Sequence, residues 1–79
     1  MRRDRVAVAF GRVLRETRKA VGMSQEELAG EAEFDRTYPS LLERGKRTPS
    51  LTVVINLAKA LRTTAVYLIN RTLEEMARR

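Results

Sequence analysis

Helical periodicity constrains the fold of this chain more than any other feature. Apolar residues recur at intervals of three and four, the spacing that places side chains on one face of an α-helix, and no stretch alternates as a strand does. Turn signals at Gly22, Gly45, Pro49 and a threonine pair beginning at Thr63 interrupt the pattern. The 79 residues divide into five short helical segments, which predicts an all-α, five-helix bundle forming a single domain over residues 1–79.

Capping residues mark where these helices begin and end. The first segment runs from about Arg5 to Ala20 and stops at Gly22, a residue suited to the left-handed conformation after a helix. Ser24 with Glu27 three residues later is a capping-box pattern that opens the second. The remaining predicted N-caps are Asp35, Ser50 and Thr64, and the last helix ends near Ala77. The predicted apolar faces are Phe10, Leu14, Thr17 and Val21; Leu28, Ala29 and Ala32; and Leu51, Val54, Leu57, Ala58 and Leu61.

Charge is segregated along the chain. The chain has sixteen basic residues, thirteen of them Arg, and ten acidic residues, for a net charge of +6. Residues 1–23 and 36–62 are both strongly basic, whereas the segment 24–35 carries only acidic charge. Arg offers a planar fork of donors that suits phosphates and base edges. A basic chain interrupted by one acidic segment therefore indicates a polyanionic partner.

Composition argues against several other functions. The chain has neither Cys nor His, so it lacks thiolate and imidazole metal ligands and the usual nucleophile–base pairs. The carboxylates of the acidic segment are interpreted as solvated charge: Glu26, Glu27, Glu31 and Glu33. No apolar run approaches the roughly 18 residues of a membrane span, and no signal peptide opens the chain. We expect a cytoplasmic protein that is not an enzyme and has no cofactor, metal, membrane or small-molecule partner.

A helix-turn-helix is predicted over about residues 24–45. Two short helical segments flank a tight connection around Glu33 and Phe34. The second helix of such a unit can enter the DNA major groove, while the first crosses the phosphate backbone.

Combined motifs in this region resemble those of one family. They are Met23-Ser24-Gln25-Glu26-Glu27-Leu28-Ala29, Phe34-Asp35-Arg36-Thr37-Tyr38, Leu42-Glu43-Arg44-Gly45, Pro49-Ser50-Leu51 and Leu57-Ala58-Lys59-Ala60-Leu61. Over about residues 10–70 the chain resembles the Cro/C1-type, or XRE, helix-turn-helix family. The resemblance implies a lambda-repressor-like fold and a sequence-specific transcriptional regulator that binds double-stranded DNA. Residues 35–38 and the chain length are also similar to controller proteins of restriction–modification systems.

The resemblance implies DNA-contacting roles for the third helix and its flanks. The expected base contacts are Arg36 and Thr37, joined by Ser40 and Leu41, which helical spacing leaves near the outer face. Leu41 can touch a thymine methyl there or be a core leucine. The expected phosphate contacts are Gln25, Tyr38, Arg44, Lys46 and Arg47.

Two further residues of the third helix carry specific expectations. Glu43 is the only acid in residues 36–62, and the family pairs this glutamate with an arginine of the first helix, which implies a partly buried ion pair with Arg18. Pro39 departs from the family pattern. Either it distorts the first helical turn or the regular helix begins near Tyr38, and Pro39→Ile is expected to stabilise the domain.

The last helix, about residues 64–77, is the predicted dimerisation element. Val66, Ile69, Leu73 and Met76 recur at helical spacing, with Tyr67 and Leu68 adding apolar area on neighbouring faces. The family binds two-fold operators as dimers, so a homodimer is implied. The helix can instead cover only its own core. The alternative function is an antitoxin-like or other interaction module that docks a protein partner.

Overall fold

The computed structural model describes residues 4–78, and every element of regular structure in that range is an α-helix. The helices are α1 (Arg5–Val21), α2 (Gln25–Ala32), α3 (Tyr38–Glu43), α4 (Leu51–Ala60) and α5 (Ala65–Ala77). The predicted all-α fold with five helices is confirmed.

Short polar side chains cap four of these helices. Asp4 accepts hydrogen bonds from the first-turn amides of α1, and Ser24, Ser50 and Thr64 do the same for α2, α4 and α5. At the other end of α1, Gly22 adopts a left-handed conformation with φ of 85°. The caps satisfy amides that a helix terminus leaves without partners, which explains why the helices begin where they do.

The helix α3 begins two residues later than predicted. Its N-cap is Thr37, so the expectation that Asp35 caps it is wrong. Pro39 is the second helical residue, where a missing N–H removes no intrahelical hydrogen bond, and its ring is buried. Of the two expected outcomes, the start of regular helix near Tyr38 is the one observed. The reason for expecting Pro39→Ile to be stabilising is therefore gone.

The core lies around α1, which packs against both α3 and α5, while α2 packs against α3 and α4. Six leucines are fully buried, one from each of the five helices and one from the C-cap of α4: Leu14, Leu28, Leu42, Leu57, Leu68 and Leu61. Each contributes about 1.5–3 kcal/mol by leaving water. Leu42 is the residue through which α3 joins this core.

A glycine allows α1 and α3 to approach closely. A Cβ placed on Gly11 would collide with the carbonyl oxygen of Leu42 and lie 2.7 Å from that of Glu43. The backbone of α1 therefore sets the position of the last turn of α3.

Three apolar side chains occupy positions that differ from the sequence expectation. Val21 and Leu51, expected on buried faces, are exposed because they occupy the last turn of α1 and the first turn of α4. Leu68, expected beside an outer face of α5, is instead fully buried.

Among residues 4–78 no single helix combines the length and apolar character needed to cross a membrane. Only α4 and α5 taken together reach that length and composition, and they are bent by 108° where they meet.

Candidate nucleic-acid interface

A tight turn joins α2 to α3. Glu33 has a positive φ of 60°, and its amide donates to the carbonyls of Ala29 and Gly30. The amide of Phe34 donates to the Ala29 carbonyl at 2.8 Å. The Phe34 ring packs against the core and meets the Tyr38 ring edge to face, with centroids 5.3 Å apart. This pair orients α3 relative to α2 and leaves Tyr38 half-buried.

The residues expected to read bases, Arg36 and Thr37, precede α3 on an exposed turn. Asp35 Oδ1 accepts from the amide of Thr37 at 2.9 Å and from its hydroxyl at 2.7 Å. These bonds, the hydroxyl first, hold the pKa of Asp35 below its ordinary value. The Arg36 guanidinium lies 3.2 Å from the carboxylate of Glu26, and both side chains are exposed. Arg36 and Thr37 thus face solvent at the N-terminal end of α3.

The outer side of α3 itself carries Ser40 and Leu41, both half-exposed, whereas Pro39 and Leu42 are buried. Leu41 is not among the fully buried leucines. The side of α3 opposite the core therefore offers one small polar and one apolar side chain.

A basic loop follows α3. Arg44, Lys46 and Arg47 are exposed. The Arg44 guanidinium donates to the carbonyl of Ser40 at 3.3 Å. Between these cations, Gly45 has a φ of 70° and lies so close to α1 that a Cβ would be 3.0 Å from Cα of Val8. The loop is consequently held against α1 with its cations on the outside.

One carboxylate joins three helices behind this surface. Arg18 of α1 donates from Nε to Glu43 Oε2 at 2.6 Å and from Nη2 to Oε1 at 3.1 Å. Both side chains are largely buried, 10% and 2% exposed, and the hydrogen bond raises the pKa of Arg18 although burial opposes it. Gln25 of α2 donates from Nε2 to Glu43 Oε1 at 3.0 Å. Such a two-point arginine–carboxylate contact fixes both position and orientation, so the end of α3 is held to α1 and α2.

The beginning of α2 is rigidly defined by its cap. Ser24 Oγ accepts from the amide of Glu27 at 3.0 Å, and Glu27 Oε1 accepts from the amide of Ser24 at 2.8 Å. Gln25 is the first residue of this capped helix. Its carboxamide has one N–H committed to Glu43, which leaves the second N–H available to a phosphate oxygen.

The helix α5 presents an apolar outer face. Val66, Ile69 and Leu73 are 67%, 42% and 59% exposed, and Met76 is half-buried. The last three of these residues line an apolar groove of about 220 Å³ between α5, the start of α1 and the segment before α4. The four residues predicted to form a dimer interface therefore share one accessible side of the molecule.

Sequence reasoning missed three contacts at this surface. They are the hydrogen bonds from Thr37 to Asp35, the ion pair of Arg36 with Glu26, and the bond from Gln25 to Glu43. The first had a signal, because an Asp two residues before a Thr favours an Asx turn. The other two connect α2 to the turn before α3 and to α3 itself, and they have no local sequence signature.

Comparisons with known proteins agree with this geometry. The family model described as "Helix-turn-helix domain" matches residues 9–67. The control protein C.BamHI of Bacillus amyloliquefaciens is 41% identical over 59 residues, which cover 73% of this chain and 73% of that protein. The crystal structure of the restriction–modification controller protein C.AhdI from Aeromonas hydrophila is 45% identical with a TM-score of 0.76, covering 78% of this chain and 94% of that one.

A third similar structure is that of the controller protein C.Esp1396I, crystallised as a tetramer in complex with its natural 35 base-pair operator. It is 28% identical, with a TM-score of 0.82, and covers 91% of this chain and 95% of that one. The chain therefore belongs to the helix-turn-helix family of DNA-binding transcriptional regulators. Controller proteins of restriction–modification systems are among its homologues.

Proposed function

We propose that this chain is a homodimeric, sequence-specific transcriptional regulator that places α3 and the turn before it in the major groove of a two-fold operator. Support comes from the charges around α3. From residue 36 to residue 47 the only acid is Glu43, and its carboxylate is turned inward to Arg18 and Gln25. The outward-facing ionised groups of that stretch are all cations, which suits a polyanionic surface.

The proposed contacts divide into two groups. Arg36, Thr37, Ser40 and Leu41 read base edges from the start and outer side of α3. An arginine can take guanine O6 and N7 in a bidentate pair once it leaves Glu26, an exchange that costs little because exposed ion pairs are worth about 0–1 kcal/mol. The phosphate contacts come from the beginning of α2, from α3 and from the basic loop: Gln25, Tyr38, Arg44, Lys46 and Arg47.

The proposed dimer uses the outer face of α5. Val66, Ile69, Leu73 and Met76 offer an accessible apolar face, which monomeric domains rarely leave uncovered. A second copy related by a two-fold axis would place two α3 helices about 34–36 Å apart, one turn of the duplex. The assembly of the similar C.Esp1396I on its operator supports oligomeric binding.

The biological role we propose is that of an autoregulatory controller of a restriction–modification system, acting in the cytoplasm without a cofactor. The support is the similarity to the control protein C.BamHI and to the restriction–modification controller proteins C.AhdI and C.Esp1396I.

A fluorescence-anisotropy comparison of two variants tests this function. The duplexes are DNA from upstream of the chain's own gene and a scrambled sequence of the same composition. We expect the unmodified protein to prefer the upstream duplex by about 10³-fold or more. Arg36→Ala should reduce that preference by about 1–3 kcal/mol.

Arg78→Ala is the matched control, because it removes one exposed arginine at the far end of α5. It should leave the preference between the two duplexes unchanged. Equal and weak binding of both duplexes by the unmodified protein would contradict the proposal and favour a module that docks a protein partner.

A further inference from the structure

We propose that Asp35 fixes the direction of the Thr37 hydroxyl, so that Thr37 reads an exocyclic amino group, that of adenine or cytosine, in the major groove. The inference rests on the proposed function, in which Thr37 faces base edges. In this proposal Asp35 is a positioning residue, which affects the choice of base through the hydroxyl of Thr37.

The position of the hydroxyl hydrogen follows from its partner. Oδ1 of Asp35 lies 2.7 Å from Oγ1 of Thr37 and 2.9 Å from the Thr37 amide nitrogen. An ionised carboxylate has no hydrogen to donate, so the hydrogen between the two oxygens is that of the hydroxyl. The lowered pKa of Asp35 keeps this carboxylate ionised at neutral pH.

A hydroxyl with its hydrogen already committed can only accept. The two remaining lone pairs of Oγ1 face away from Asp35 toward solvent, since Thr37 is exposed. In the major groove the hydrogen-bond donors are the N4 amino group of cytosine and the N6 amino group of adenine. Guanine presents only O6 and N7 there and thymine only O4, all acceptors, as are phosphate oxygens.

Rotation of the hydroxyl toward a base acceptor is disfavoured by the strength of the existing bond. Hydrogen bonds to an ionised acceptor are shorter and about twice as strong as those between neutral groups. The second bond that Asp35 Oδ1 accepts, from the Thr37 amide, holds the carboxylate in place. A neutral guanine or thymine oxygen therefore cannot replace Asp35 as the partner without a net loss.

Selection from a library of randomised duplexes gives the preferred sequence of the unmodified protein. Repeating the selection with Thr37→Val, which keeps the shape and removes the hydroxyl, identifies the base pair that Thr37 reads. Every base pair holds one adenine or cytosine, and we expect Thr37 to contact that base rather than its thymine or guanine partner. Replacing it with purine or pyrimidin-2-one, which lack the amino group, should weaken binding of the unmodified protein about five- to tenfold and leave Thr37→Val unaffected. This comparison of base analogues leaves Asp35 unchanged in both proteins.

Two substitutions of Asp35 complete the test. In Asp35→Ala the hydroxyl is free to rotate, so at that one base pair the protein should also accept guanine or thymine on the contacted strand. Asp35→Asn keeps an acceptor oxygen but loses the charge, so the preference should broaden less than in Asp35→Ala.

Three results would overturn the inference. They are unchanged affinity of the unmodified protein when the amino group of the base pair read by Thr37 is removed, no base pair affected by Thr37→Val, or an equal loss of affinity for all four base pairs in Asp35→Ala. A selection with the unmodified protein that enriches no sequence would instead contradict the proposed function itself.

Discussion

Replacing Gly11 with alanine tests whether the close approach of α1 and α3 holds α3, the helix proposed to contact bases, in place. An alanine in a helix interior normally stabilises by about 1 kcal/mol relative to glycine. Here the new Cβ would collide with the Leu42 carbonyl oxygen and lie 2.7 Å from that of Glu43. Both obstacles are backbone atoms, and Glu43 is held by Arg18, so neither can move aside as a flexible side chain would.

The two effects have opposite signs, and the steric one is larger. Overpacking of a closely packed contact costs about 1–3 kcal/mol, and a backbone obstacle belongs at the upper end of that range. Subtracting the gain in helix propensity leaves a net loss of about 2 kcal/mol of unfolding free energy. Because α3 must move away from α1, affinity for the upstream duplex should fall as well.

Gly30→Ala is the matched control. Gly30 also lies within a helix, and a Cβ there meets no atom within 4 Å. This variant should gain about 0.5–1 kcal/mol. Urea denaturation followed by far-UV circular dichroism, at one protomer concentration for all variants, measures both changes. Equal stabilisation of both variants would refute the reasoning about the α1–α3 contact.

Three other perturbations have defined outcomes. Glu43→Ala should cost about 3–5 kcal/mol in urea denaturation because it leaves Arg18 buried without its carboxylate, and unchanged stability and DNA affinity would contradict this. Leu73→Glu should convert a dimer to a monomer in sedimentation equilibrium, whereas Val21→Glu, at an exposed site on α1, should not; a dimeric Leu73→Glu would move the interface elsewhere. Threonine hydroxyls, then backbone amides, lower the pKa of Asp4 and Asp35 below their ordinary 3.8. Each aspartate has a lower pKa in the folded state than in the unfolded state, so its stabilising effect is complete above the pKa of the unfolded state. That effect is lost as the pH falls through the pKa of the folded state, so the melting temperature should drop between about pH 6 and about pH 3. A constant melting temperature over that range would show that these hydrogen bonds do not stabilise the fold.

The sequence was sufficient for most helix boundaries because the caps are local. Ser24, Ser50 and Thr64 each bond to amides three residues ahead, a relation that the sequence itself displays. The predicted start of α3 at Asp35 is wrong because the same pattern fits two structures. An aspartate side chain accepts hydrogen bonds from following amides both when it caps a helix and when it stabilises a turn. Asp35 accepts from Thr37 two residues ahead, and only then does α3 begin.

The site was only partly predictable, for a different reason. Glu43 stands out as the single acid in a basic stretch, and the family resemblance implies its pairing with Arg18. Its second partner, Gln25, belongs to another helix, and the bond depends on how α2 packs against α3. The same dependence decides which side of α5 is buried. Leu68 lies in the core, while its neighbour Ile69 remains on the accessible side.

The claim that α3 reads the major groove as one of a pair is tested most directly by methylation interference on the upstream duplex. Methyl groups at guanine N7 lie in the major groove, and those at adenine N3 lie in the minor groove. We predict interference from guanine N7 in two clusters centred about 34–36 Å apart and none from adenine N3 between them. Interference confined to adenine N3, or binding that tolerates methylation at every guanine, would contradict the account.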